Sequence, residues 1–227
     1  RRVGSGDTDA DAVLDAVDAS AVQGFPRAAV QMRYVENHDE DRYRAECGTE
    51  ALRAAAAATF TLPGAPMVYY GQERGMTDYR GEMSWHDGDT ELTDYHRRLA
   101  AARREHDALC AGTVARIGYE VRGGDVGAGN GSGGAPGIVG GDDGEAGGGG
   151  AGADSVTAYV RESSEERLAV AINFGAGEAT VELADPVDPT DLLTGHDVGV
   201  GDGSADGVAG DASRAVRVDD VVVCRLH

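Results

Sequence analysis

Along the first 112 residues, apolar positions recur at helical spacing in some stretches and collapse into short runs in two others. Val13, Leu14, Val17 and Ala21 share one face of a helix, and Thr8 with Asp11 three residues on marks its start. Ala28–Val35 (AAVQMRYV) is a short apolar run that predicts a buried strand, and it leads into Asn37-His38-Asp39. Thr49–Phe60 reads as a helix on alanine content alone. LPGAP breaks that helix, and MVYYG, residues 67–71, predicts a second short strand. Tyr95, Leu99, Ala102, His106 and Leu109 then fall at helical spacing, with Gly112 as the stop. The order helix, strand, helix, strand, helix predicts parallel strands joined by crossover helices.

After Gly112 the period changes. TVARIGYEV, SVTAYVRE, RLAVAINF, ATVEL and RAVRVDDVVVCRL are strand-like segments separated by turn residues. They predict an antiparallel β domain, a small β-sandwich, over residues 113–227. The expected fold class is therefore α/β plus all-β, with a boundary after residue 112. Between the first two strand segments, 16 of the 31 residues from Gly123 to Ala153 are glycine. Such a stretch buries too little apolar surface to order itself, so a flexible insertion is expected. Without a following helix or a Lys-Ser/Thr pair it does not read as a phosphate cradle.

Charge narrows the function classes. Acidic residues number 40 against 20 basic ones, net −20, and every basic residue is arginine. A surface this negative repels nucleic acid and anionic membranes, so neither is expected as a partner. No run of 18 apolar residues predicts a membrane span. An acidic, lysine-free surface suits concentrated salt, where the Debye length falls to about 3 Å at 1 M, and it predicts a halophilic source. Stability is accordingly expected to fall as salt drops from molar to tens of millimolar. An unfolding midpoint that stays flat across that range contradicts the expectation.

Other candidate chemistry falls away on spacing. Cys47, Cys110 and Cys224 are odd in number and far apart, fitting neither a disulfide framework nor zinc spacing, and read as small buried hydrophobes. Asp7, Asp9 and Asp11 superficially match a calcium loop, but its glycine and glutamate positions hold Ala12 and Asp18. Arg1 in place of Met sets the expectation that the true amino terminus lies upstream, and localisation stays open between cytoplasm and secretion.

The Asn37-His38-Asp39 cluster follows a predicted strand and precedes a predicted helix, which is the edge of a parallel sheet where sites are built. A carboxylate beside an imidazole and an amide grips vicinal hydroxyls and holds negative charge near a developing cation. The same residues also suit a loop that caps the following helix. A metal-dependent phosphohydrolase needs further His and Asp ligands, and no suitable spacing supplies them.

The surrounding segments add weight. YVENHDEDR, then FTLPGAPMVYYGQERGM, then MSW and YHRRLAAARREHDAL resemble the α-amylase family of glycoside hydrolases in motif, order and separation. The resemblance covers nearly all of residues 1–120, and the β domain resembles that family's carboxyl-terminal β-sandwich. It implies that Asn37-His38-Asp39 closes the seventh strand of a (β/α)8 TIM barrel and that PGAPMVYYGQE contains the eighth. Asp39 would then be the carboxylate that stabilises the transition state. His38 would hydrogen-bond the same sugar, and Asn37, on the substrate side, would orient the loop. Arg42 would brace that loop, while Tyr69, Tyr70 and Glu73 would serve barrel structure.

The resemblance further implies an α-glucan substrate and a retaining mechanism, which uses two carboxyl groups about 5–5.5 Å apart around an oxocarbenium-like transition state. The family's nucleophilic Asp and acid Glu follow earlier strands, so both lie outside this chain. A full barrel takes about 250 residues, and only about 110 are here. The missing amino-terminal barrel segment is therefore an expected partner, and any calcium would belong to that segment, none to this chain. A related transglycosylase and a non-catalytic carbohydrate-binding remnant are the alternatives. With two barrel strands left unpaired at their edges, the first half is expected to fold poorly alone and the sandwich to fold by itself.

Overall fold

A computed structural model describes residues 1–26, 30–122, 153–200 and 212–227. The glycine-rich stretch 123–152, like residues 27–29 at the start of the first predicted strand, lies outside the described residues.

Helix α1 (Ala12–Val22) starts later than a Thr8 cap would place it, and ahead of it Asp9 Oδ1 accepts the Asp11 N–H at 2.7 Å in an Asx turn. Strand β1 is only Met32–Arg33, and it pairs in parallel with β2 (Ala65–Pro66). Helix α2 (Tyr43–Thr61) makes the crossover between them. The expectation of a parallel pair around a helix holds, while that of a buried strand over 28–35 does not. Val30 is 72% and Met32 60% exposed, so alternate side chains of the run point outward, while Val35 packs against the helical core. Pairing also falls two residues before the predicted MVYYG strand. The N–H groups of Ala65 and Met67 donate to Gln31 and Arg33, and Pro66, which has none, occupies the outward-facing position between them.

Inside α2, Gly48 adopts φ 84° and ψ 177°, so the regular helix begins at Thr49, as alanine content predicts. Its alanines let α2 sit close to its neighbours, and Ala54, Ala56 and Ala57 are fully buried. Helix α3 (Thr90–Glu105) is capped by Asp89, whose Oδ1 accepts the Leu92 N–H at 3.0 Å. The predicted continuous helix to Gly112 is broken at His106, which is extended, and a short α4 (Asp107–Ala111) follows. The break is set from far away. Glu166 accepts from Ala108 N–H at 3.1 Å and lies 2.9 Å from His106 Nδ1, capping a new helix rather than extending the old one.

The β half holds two antiparallel sheets. One has the order β3 (Thr113–Arg116), β5 (Val156–Glu162), β6 (Arg167–Asn173), β9 (Val221–Arg225); the other runs β4 (Tyr119–Arg122), β7 (Ala179–Val187), β8 (Ser213–Val218). Two predicted segments each divide between the sheets: TVARIGYEV into β3 and β4, and RAVRVDDVVVCRL into β8 and β9.

Strand alternation sends residues of the four-stranded sheet both ways. Ala169 and Ala171 face the three-stranded sheet together with Val156, Ala158, Val222 and Cys224, meeting Val181, Leu183, Val216 and Val218. Leu168, Val170 and Ile172, with Tyr159 and Val223, pack instead against Leu52, Phe60, Leu99 and Leu109 of the helices. The four-stranded sheet is thus buried on both faces. Separated from residues 1–112, the β half would present that second apolar face to water, which argues against its folding alone.

Arginines close the seam. Arg161, fully buried, donates to the carbonyls of Thr61, Gly112 and Thr113, and Arg103 donates to those of Phe60, Leu62 and Gly64. Four of these carbonyls lie at and beyond the end of α2 and two follow the end of α4, where helices leave acceptors unpaired, and two guanidinium forks satisfy them. Burial lowers the Arg161 pKa to about 10. Of the three cysteines, Cys224 is the buried hydrophobe expected, with burial raising its thiol pKa, whereas Cys47 is half-buried and Cys110 exposed.

Candidate active site

The loop from β1 to α2 is closed by one buried ion pair. Glu36 and Arg42 are each 1% exposed, and Glu36 Oε1 accepts from Arg42 Nη1 at 2.7 Å. The other carboxylate oxygen accepts the Tyr43 N–H, also at 2.7 Å, which satisfies a free donor in the first turn of α2. Arg42 further donates to the carbonyls of Tyr70 (2.9 Å) and Asp78 (3.2 Å), and its guanidinium lies 4.7 and 4.8 Å from the rings of Tyr69 and Tyr70. A planar cation beside two aromatic rings that themselves meet edge-on, hydrogen-bonded along its edge, is a rigid anchor. Its Nη2 is buried without a hydrogen-bond partner among the described residues.

Residues 37–41 project from that anchor. Asn37 Oδ1 accepts the Asp39 N–H at 2.8 Å, an Asx turn that aims the following side chains outward. His38 and Asp39 stand at the surface, with side chains 68% and 71% exposed and Nε2 3.3 Å from Oδ2. A second loop meets them. Arg80 Nη2 lies 3.5 Å from Asp39 Oδ1, while Arg80 Nε and the Tyr79 hydroxyl donate to the His38 carbonyl at 2.8 and 3.0 Å. The three predicted residues are therefore together on one turn. Helix capping falls to Glu36, and among the described residues the Asp39 carboxylate meets the His38 imidazole and the Arg80 guanidinium rather than helix N–H donors.

Sequence reasoning placed Arg42 as a brace, and its contacts are those of one; Tyr69 and Tyr70 cradle it. Glu36, Tyr79 and Arg80 were not picked out. Glu36 carried one signal, since it sits six residues before Arg42 in ENHDEDR. Glu73 lies half-buried with Oε2 unpartnered among the described residues, and its carbonyl accepts from Thr93. Beside the loop, but not including His38 or Asp39, a cavity of about 460 Å³ is lined by Arg44, Arg74, Asp78, Glu82 and Asp89. Among the described residues no group of three or more His, Cys, Asp or Glu side chains is placed to hold a metal ion, and no helix is long and apolar enough to cross a membrane.

With this geometry in place, comparison with known proteins is decisive for residues 10–112, which match the family model described as "Alpha amylase, catalytic domain". Residues 10–112 belong to the α-amylase family. The α-amylase MalA of Haloarcula japonica is 38% identical over 224 residues, 98% of this chain but 28% of MalA. The expected halophilic source fits this haloarchaeal relative. A cyclomaltodextrin glucanotransferase of Bacillus licheniformis is 28% identical over 107 residues, 44% of this chain and 15% of that protein. Among solved structures, the maltogenic α-amylase AmyB of Thermotoga neapolitana matches with TM-score 0.67 at 16% identity, across 99% of this chain and 48% of AmyB. That likeness speaks for the α-amylase fold. The chain spans under a third of MalA and about half of AmyB.

Proposed function

We propose that this chain is the carboxyl-terminal part of a retaining α-amylase-type glycoside hydrolase acting on α-glucosidic bonds of starch-like glucans. In this reading residues 1–112 supply the last strands and helices of a (β/α)8 barrel, and residues 113–227 form its β-sandwich. Upstream sequence supplies the nucleophilic Asp and the acid Glu.

One observation carries the reading: His38 and Asp39 stand exposed on a turn whose base is locked by the buried Glu36–Arg42 pair. Because Glu36 already caps the helix, the exposed Asp39 carboxylate is not needed for capping. In a retaining reaction the nucleophile attacks the anomeric carbon while the acid protonates the departing oxygen, and positive charge builds on the sugar ring. Asp39 supplies fixed negative charge beside that ring without accepting a proton, and it binds ring hydroxyls. His38 binds the same sugar. Asn37 spends its carbonyl oxygen on the turn, so its part is to orient its neighbours.

The similarity to a cyclomaltodextrin glucanotransferase supports a second reading, transfer to a sugar acceptor in place of water. The role of Asp39 is the same in both, because both pass through the same charged transition state. The test uses a chimaera in which this chain replaces the matching 224 residues of MalA, hereafter the assembled domain. Asp39→Asn should slow its turnover far more than it lowers its melting temperature. A capping role produces the opposite pattern.

A further inference from the structure

Because His38 and Asp39 are mostly in water, packing does not fix where they point. The Asx turn at Asn37 holds the loop from its own side. From the other side the hold comes from residues about forty positions away. The His38 carbonyl accepts from both Arg80 Nε (2.8 Å) and the Tyr79 hydroxyl (3.0 Å), and Arg80 reaches on to the Asp39 carboxylate.

Arg80 is the single non-glycine residue with positive φ (50°) among the described residues. A side chain in that left-handed region sits above its backbone minimum and persists where surrounding contacts over-determine it. Here they do. Arg42 Nε donates to the Asp78 carbonyl and the Tyr70 hydroxyl to the Gly81 carbonyl, pinning both ends of the turn 78–81 to the same anchor that closes the first loop. The guanidinium of Arg80 also lies 5.0 Å from the Tyr79 ring, which limits its own freedom. Glycine at position 80 would remove the strain, and the chain holds arginine there instead.

We propose that Arg80, supported by Tyr79, is a positioning residue. By gripping the His38 carbonyl it sets the direction in which the His38 imidazole and the Asp39 carboxylate face a bound sugar. The functional side of this proposal rests on the reading of Asp39 as the transition-state carboxylate; the structural side does not.

The experiment compares Arg80→Gly and Arg80→Lys with the parent assembled domain, measuring amide hydrogen exchange, kcat, KM and melting temperature. For Arg80→Gly, exchange at the Asp39 and Glu40 amides should accelerate about tenfold or more, since the turn loses two of its outside contacts. The melting temperature should hold or rise because the φ strain is gone. Turnover should fall roughly tenfold with KM changed little, as misplacement of a group that acts on the transition state requires. Arg80→Lys keeps charge near Asp39 but lacks the fork that reaches the carbonyl, so it should recover only part of the rate. Unchanged exchange at residues 38–40 in Arg80→Gly overturns the clamp, as does unchanged turnover where Asp39→Asn is slow. If exchange accelerates but Asp39→Asn turns over normally, the clamp stands as structure and the functional assignment of Asp39 is what fails.

Discussion

Asp39→Asn in the assembled domain is expected to lower kcat on a soluble α-glucan by about 10²-fold or more, the scale of losing one preorganised electrostatic contact to a transition state. The substitution keeps shape and most hydrogen-bonding capacity and removes the negative charge. Because the Asp39 side chain is 71% exposed and its partners His38 and Arg80 are also in solvent, its ion pairs contribute little to folding. The melting temperature should therefore barely move. His38→Ala removes sugar contacts rather than charge, so its smaller loss should be shared between kcat and KM. Near-normal turnover with lowered stability in Asp39→Asn contradicts the assignment.

Glu36→Ala should act in the opposite way, through stability. It strips the carboxylate from a guanidinium that is 1% exposed and leaves the Tyr43 N–H without its acceptor. Removing one partner of a buried ion pair costs about 3–5 kcal/mol, because the remaining charge stays buried and uncompensated. For a chain of this size that corresponds to a melting-temperature drop of roughly 10 °C. Glu36→Gln keeps an acceptor for Tyr43 and should lose less. A loss below about 1 kcal/mol for Glu36→Ala would mean that Arg42 is satisfied by the Tyr70 and Asp78 carbonyls alone.

Much of the architecture was legible in the order of residues, and the failures share one cause. Strands β5 and β6 are legible because β-branched and aromatic residues such as Val156, Thr157, Tyr159, Val160, Val170 and Ile172 recur in short runs bounded by turn residues. Helix α3 is legible from the spacing of Tyr95, Leu99 and Ala102, but its end at His106 depends on Glu166, sixty residues away. The run 28–35 was expected to be buried because apolar residues usually are. Among the described residues of the run only Met32–Arg33 is paired, and Val30, Met32 and Tyr34 stand exposed while Val35 packs inward. Which sheet each half of TVARIGYEV joins is likewise decided by partners distant in sequence.

The candidate site divides along the same line. Asn37, His38 and Asp39 were found because a local motif carries them, and Arg42 because the resemblance gave it a role. Glu36 was one acid among forty in the composition until its burial separated it from the rest. Tyr79 and Arg80 reach the site across forty residues of chain, and no periodicity records such a contact.

The most direct test of whether sugar is bound at this turn is a crystal structure of the assembled domain with a non-hydrolysable, sulfur-linked α-glucan oligosaccharide. The account predicts that an Asp39 carboxylate oxygen and His38 Nε2 each lie within about 2.6–3.2 Å of hydroxyl groups on one and the same sugar ring, with the His38 carbonyl still held by Arg80 and Tyr79. A ring seated instead in the cavity lined by Arg44, Arg74 and Glu82, with Asp39 left in solvent, would contradict it.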